Sequence, residues 1–159
     1  MAAERISWVL LAYRLPREPS TPRSALWRKL RRLGAAQVLD GLAALPLDAR
    51  NRERLEWLAD EVLEADGEAS IWVGSLGSAA QERELASRMA AAVATDYRAV
   101  IAETTAAREQ PTGRRRRTLA RLRRELRRIR ARDYFPPPER ELAQQALDEL
   151  ATLVEEPVR

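Results

Sequence analysis

The 159-residue sequence has no cysteine and no histidine. Without cysteine there is no disulfide, no thiol nucleophile and no thiolate metal site. Without histidine there is no imidazole general base, no serine–histidine triad and no use of the commonest metal ligand. Lysine is nearly missing as well, since only Lys29 among the 28 basic residues is not arginine. Six glycines leave few natural breaks in a chain dominated by Ala, Leu, Arg and Glu, which is a helix-rich composition. No apolar run approaches the roughly 20 residues that span a bilayer. Met1–Glu4 leads directly into a short apolar run without a small-residue cleavage site, so no export signal is expected. These absences make a cytoplasmic protein the expectation, one that is not an enzyme, holds no cofactor or metal and has no membrane partner.

What is present is charge of one sign in one place. The formal net charge is +4, yet residues 1–78 carry 11 basic and 11 acidic groups. Residues 114–132 carry 11 arginines and a single acid, Glu125. A modest total therefore hides one strongly basic segment.

The apolar pattern predicts α+β architecture. Ile6–Leu15 reads as a buried strand stopped by Pro16. Ser20 or Thr21, followed by Pro22, starts a helix with Leu26, Leu30 and Leu33 as its stripe and Gly34 as its stop. Ala35–Leu39 and Leu42–Leu45 flank Asp40-Gly41, a hairpin signal of the type I′ kind, although so many Ala and Leu residues suit a helix too. Asp48 caps a second helix through Ala65, with Leu55, Leu58 and Val62 inward, and Ala69–Leu76 is a fourth strand. The order β-α-β-β-α-β is that of a ferredoxin-like split βαβ domain over residues 1–78. Residues 79–159 read as a helical extension, a hairpin or three-helix bundle: Ala79–Arg108, the Arg-rich Arg114–Arg132, and Glu139–Glu155 with Leu142, Ala146/Leu147, Leu150 and Leu153/Val154.

On the Arg-rich helix, Leu119, Leu122, Leu126 and Ile129 fall on one side, and Arg117, Arg121, Arg124, Arg128 and Arg132 cover the other. With Arg114, Arg115 and Arg116 they form a cation array suited to closely spaced phosphates, which guanidinium contacts through a planar fork. Ion pairing inside the protein is the rival use. A carboxylate row, Glu56, Asp60 and Glu64 at i, i+4, i+8 on the second helix, is one candidate partner. A second basic cluster, Arg23, Arg28, Lys29, Arg31 and Arg32, lines the first helix; it is either an ordinary solvated face or a further phosphate-contacting surface. Trp8, Trp27, Trp57 and Trp72 each sit inside a predicted element and are expected in the core. Gly74–Ser78 lacks the Lys of a phosphate-binding loop and reads as a strand–helix turn.

Several segments carry a resemblance: Trp8-Val9-Leu10-Leu11, Tyr13-Arg14-Leu15-Pro16, Glu18-Pro19-Ser20 with Arg23, Trp27–Ala35, Leu55–Ala59, Gly67-Glu68-Ala69 and Ile129–Phe135. In this order they resemble the amino-terminal domain of the chromate-resistance regulator family, ChrB. The resemblance implies a bacterial cytoplasmic regulator of a chromate-efflux or stress operon that binds DNA, as a homodimer. Family members typically continue into a second domain. A chain ending at Arg159 is expected either to bind DNA without sensing chromate or to work with a separately encoded effector-sensing domain. A more distant likeness is to the ferredoxin-like middle domain of phenylacetate-pathway repressors. The small CRISPR-associated endoribonucleases share the element order of the first half, but their first strand ends at a metal-binding Asp where this sequence reads Ala12-Tyr13-Arg14-Leu15. The expectation is thus a non-enzymatic DNA-binding regulator; its alternative is an interaction module whose Arg-rich helix pairs with an acidic surface or partner.

Overall fold

A computed structural model of the chain describes residues 4–156. Residues 1–3 and 157–159, the outer ends of the two expected domains and most of the segment read for an export signal, lie outside the described residues. The described residues form an α+β structure with a four-stranded antiparallel sheet and five helices. The chain divides into two compact units, one through Met89 and one from Ala90 on.

The first unit contains β1 (Trp8–Arg14), α1 (Thr21–Leu33), β2 (Ala36–Leu39), β3 (Leu42–Pro46), α2 (Ala49–Glu64) and β4 (Glu68–Gly74). Its strand order is β2-β3-β1-β4. β1 sits in the middle because it is apolar along nearly its whole length: it pairs with β3 from Trp8↔Pro46 to Ala12↔Leu42, and with β4 from Trp8↔Gly74 to Arg14↔Glu68. Val9, Leu11, Ala43 and Leu45 are completely buried. Leu26 and Leu30 of α1 and Leu55, Leu58 and Val62 of α2 are buried too. α2 packs on β1 and β4. Its first turn is capped by Asp48, whose carboxylate accepts from the Asn51 amide at 2.6 Å. Trp8 and Ala44 point to the opposite face and are buried as well.

The β2–β3 hairpin forms at Asp40-Gly41, but not with a type I′ turn, which needs positive φ at both central residues. Only Gly41 has it, at 81°. A β-carbon there would lie 2.5 Å from the Tyr13 carbonyl oxygen, and the Tyr13 amide donates to the Gly41 carbonyl at 2.8 Å. Glycine is required by that close approach as much as by the turn. Ser20 occupies the N-cap of α1 but makes no side-chain capping bond; Pro22 in the first turn sets the start instead.

α3 (Ala79–Ala107) begins in the first unit. Its first turns are tied there: the Glu82 carboxylate accepts from the Arg5 guanidinium and from the Ile6 amide, each at 3.1 Å. Arg88 donates to the Gln37 carbonyl at 3.0 Å, and Leu85 is buried. The second unit holds the rest of α3 with α4 (Thr112–Ala131) and α5 (Glu139–Glu155). One core is shared by Val93, Tyr97 and Val100 of α3, Leu119, Leu122, Leu126 and Ile129 of α4, and Ala143, Leu147, Leu150 and Val154 of α5. Leu142, expected inward, is exposed, and Ala143 takes the buried place. The buried set of α5 then runs 143, 147, 150, 151 and 154, the three- and four-residue spacing of a helix stripe.

Candidate nucleic-acid interface

α4 is anchored at both ends. At its start, Arg115 reaches back to the C-terminal end of α3 and donates to the carbonyls of Ala107, Arg108 and Gln110 at 3.4, 2.9 and 3.0 Å. The Ala107 carbonyl also accepts from the Gln110 amide at 3.1 Å, so Arg115 serves chiefly the Arg108 and Gln110 carbonyls just past the helix end. At its far end, the buried Tyr97 hydroxyl donates to Asp133 at 2.7 Å. The Asp133 side chain is fully buried, with Arg140 3.7 Å from the same oxygen. Burial and the bond to Asp133 push the Tyr97 hydroxyl well above the ordinary tyrosine range.

Between these anchors the arginines divide by what they meet. Arg121 pairs with Glu103 of α3, Arg132 with Asp96 of α3 at 3.1 Å, and Arg128 with Glu125 one turn back at 3.5 Å. Arg114, Arg116, Arg117, Arg123, Arg124 and Arg127 are exposed and have no hydrogen-bond or ion-pair partner among the described residues. Arg117 and Arg124 lie a heptad apart, and Arg116, Arg123 and Arg127 form an adjoining row at spacings of seven and four. Arg123 and Arg127 were missing from the sequence-predicted set. Their signal was available in that spacing, which places them with Arg116 on the outward side. No acidic residue occupies the first turn of α4, so the positive helix end and the neighbouring arginines add to one another. The free array is thus an uncompensated stripe of positive charge on a well-anchored helix.

The cations of α1 behave differently. Lys29 pairs with Glu61 of α2 at 2.6 Å. Arg31 lies over the Trp27 ring, 5.0 Å from its centroid, a cation–π contact. Arg23, Arg28 and Arg32 are exposed without partners among the described residues. Of the carboxylate row, Glu56 is held by Arg52 of its own helix at 3.0 Å. An open groove of about 820 Å³ runs beside α1, with Tyr13, Arg14, Arg23, Trp27, Arg28 and Asp40 among its walls. The tryptophans depart from expectation: Trp8 is buried, whereas Trp27, Trp57 and Trp72 are 52%, 61% and 62% exposed. Among the described residues, no group of three or more acidic side chains is placed to hold a metal ion. No helix there is long and apolar enough to cross a membrane.

A family model described as Protein ChrB, N-terminal, matches residues 23–110. The chain belongs to the ChrB N-terminal family. It is also 32% identical over 102 residues to Protein ChrB of Cupriavidus metallidurans, covering 64% of this chain and 31% of that one. The chain thus spans about a third of the length of this curated relative. No solved structure matches it. The ChrB match includes Arg23, Arg28, Lys29, Arg31 and Arg32 of α1 and ends before α4 begins. The free arginines of α4 therefore lie beyond the matched region.

Proposed function

We propose that this ChrB-family chain is a DNA-binding transcriptional regulator that controls a chromate-efflux or stress operon in the bacterial cytoplasm, and that it is not an enzyme. The observation that carries the reading is the row of six exposed arginines on α4 with no partner among the described residues. Phosphates spaced along a duplex are the ligand such a row fits, because each guanidinium that meets one releases condensed counterions. Arg23, Arg28 and Arg32 of α1 add phosphate contacts, with Arg17 of the preceding loop as a lesser contributor; Arg14, which the sequence also offers, is paired with Glu68. Lys29, Arg31, Arg115, Arg121, Arg128 and Arg132 already have partners inside the protein; Lys29, Arg115, Arg121 and Arg132 tie their helix to other parts of the chain, and Arg31 and Arg128 are engaged within their own helix. The element order and the β2-β3-β1-β4 sheet support reading the first unit as a ferredoxin-like split βαβ domain. The working form is a homodimer.

A second reading, an interaction module, is favoured by the pairing of Arg121 with Glu103 and of Arg132 with Asp96, because α4 there meets protein carboxylates. Titration onto labelled DNA from upstream of the gene, beside a scrambled duplex at two salt concentrations, separates the two. The regulator reading expects tighter binding to the native duplex. Adding chromate tests whether this half senses it. Absence of binding to either duplex would overturn the regulator reading in favour of the interaction module.

A further inference from the structure

The three exposed tryptophans sit in three different settings. Trp57 lies on α2 with Glu53, Arg54, Asp60 and Glu61 on the neighbouring turns, a mixed surface in which Glu61 is paired with Lys29. Trp72 lies on β4, an edge strand whose only charged residue is Glu68. Trp27 alone stands in a basic groove. Arg23, Trp27 and Arg31 follow one another at i, i+4 and i+8, so they form a single ridge along α1. Arg31 stacks on the indole, and half of Trp27 remains exposed. Arg23 and Arg28, which line the groove, have no partner among the described residues. The Gln37 amide donates to the Tyr13 hydroxyl at 2.9 Å and to the Leu39 carbonyl at 2.8 Å, which fixes the wall opposite. Asp40 on the same rim offers an acceptor for a sugar hydroxyl or a base amino group.

Duplex phosphates would use the arginines of this groove and leave the indole idle, because paired bases do not present their faces. An unpaired nucleotide uses both. Its base stacks on the aromatic ring and its phosphate meets the guanidinium groups, the combination by which single strands are held. The volume, about 820 Å³, falls within the range of small-ligand sites. We propose that the groove beside α1 binds an unpaired nucleotide, with the base on Trp27 and the phosphate against Arg23 and Arg28. The proposal rests on the nucleic-acid reading of the chain, and adds a ligand that reading does not require.

The test measures binding of the full chain to labelled oligodeoxythymidylate and to a labelled blunt duplex. Wild type is compared with Trp27→Ala and Trp27→Phe. The expected result is that Trp27→Ala weakens oligodeoxythymidylate binding about tenfold or more. Trp27→Phe retains most of it, and duplex affinity is unchanged in both variants. Free thymidine 5′-monophosphate then separates the sources. Displacement of the labelled strand by the mononucleotide assigns the groove to a free nucleotide, and failure to displace assigns it to a strand. Equal single-strand binding by wild type and Trp27→Ala would overturn the proposal. So would an equal loss on both probes with the circular dichroism unchanged. Trp27-dependent strand binding without any duplex binding would overturn the duplex reading and leave the groove standing.

Discussion

α1 and α4 are built on the same plan and use their cations in different ways. Both are amphipathic, with leucines at three- and four-residue spacing turned inward and basic residues outside. On α1 the basic residues alternate with an aromatic, and Lys29 and Arg31 have partners in the same unit. On α4 part of the array is engaged: Arg115 with carbonyls, Arg121 and Arg132 with carboxylates of α3, and Arg128 with Glu125 of its own helix. Arg114, Arg116, Arg117, Arg123, Arg124 and Arg127 are free among the described residues. A count of arginines therefore says little by itself. The functional surface is the subset left over once the fold has used what it needs.

The largest expected effect sharpens the division within the second unit. Tyr97→Phe removes the hydroxyl that donates to the fully buried Asp133 side chain. The variant should lose roughly 2 kcal/mol of unfolding free energy, the middle of the range for a buried acceptor deprived of its hydrogen bond, since the Arg140 guanidinium stays 3.7 Å from the same oxygen; denaturant titration measures it. The same residue sets a pH dependence. Its folded-state pKa is raised above the ordinary value near 10, so its contribution is fully present below pH 10 and is lost as the pH rises beyond it. Wild type should lose stability in that range more steeply than Tyr97→Phe.

Next in size, Arg115→Ala should cost about 1–2 kcal/mol, because it removes the donor to the Arg108 and Gln110 carbonyls that ties the start of α4 to the end of α3. Arg117→Ala, on the same helix but without a partner, should stay within about 0.5 kcal/mol. Equal losses from the two would break the distinction between structural and free arginines. A small effect is expected on α1 as well. Lys29→Met removes an ion pair whose two side chains are 41% and 44% exposed. Solvent screening should keep the loss under about 1 kcal/mol in thermal unfolding.

Much of this was legible in the sequence. The order of strands and helices, the cap at Asp48, the stop at Gly34, and the Leu119–Leu122–Leu126–Ile129 stripe all follow from local signals that burial then obeys. The misses share a cause. Trp27, Trp57 and Trp72 were expected inside because a large apolar residue in a regular element usually packs inward. Each in fact falls on the face its helix or strand turns outward. Leu142 is another case, one position away from the stripe that α5 uses. The Asp40-Gly41 turn was placed correctly, but its type depends on the approach of Tyr13, a contact between distant parts of the chain. The same limit applied to the candidate interface. Periodicity put Arg117 and Arg124 outside, but only the packed structure separates them from Arg115, Arg121 and Arg132, whose partners come from another helix.

The most direct test of the central claim is the salt dependence of duplex binding for wild type and for a variant with Arg116, Arg117, Arg123 and Arg124 changed to Glu. Wild-type affinity should fall linearly with the logarithm of salt concentration, by about 0.9 in slope for each phosphate met. The variant, still folded by circular dichroism, should lose both the affinity and most of the slope. A folded variant that binds the duplex with wild-type affinity and slope would contradict the account, and the free stripe of α4 would not be the contact surface.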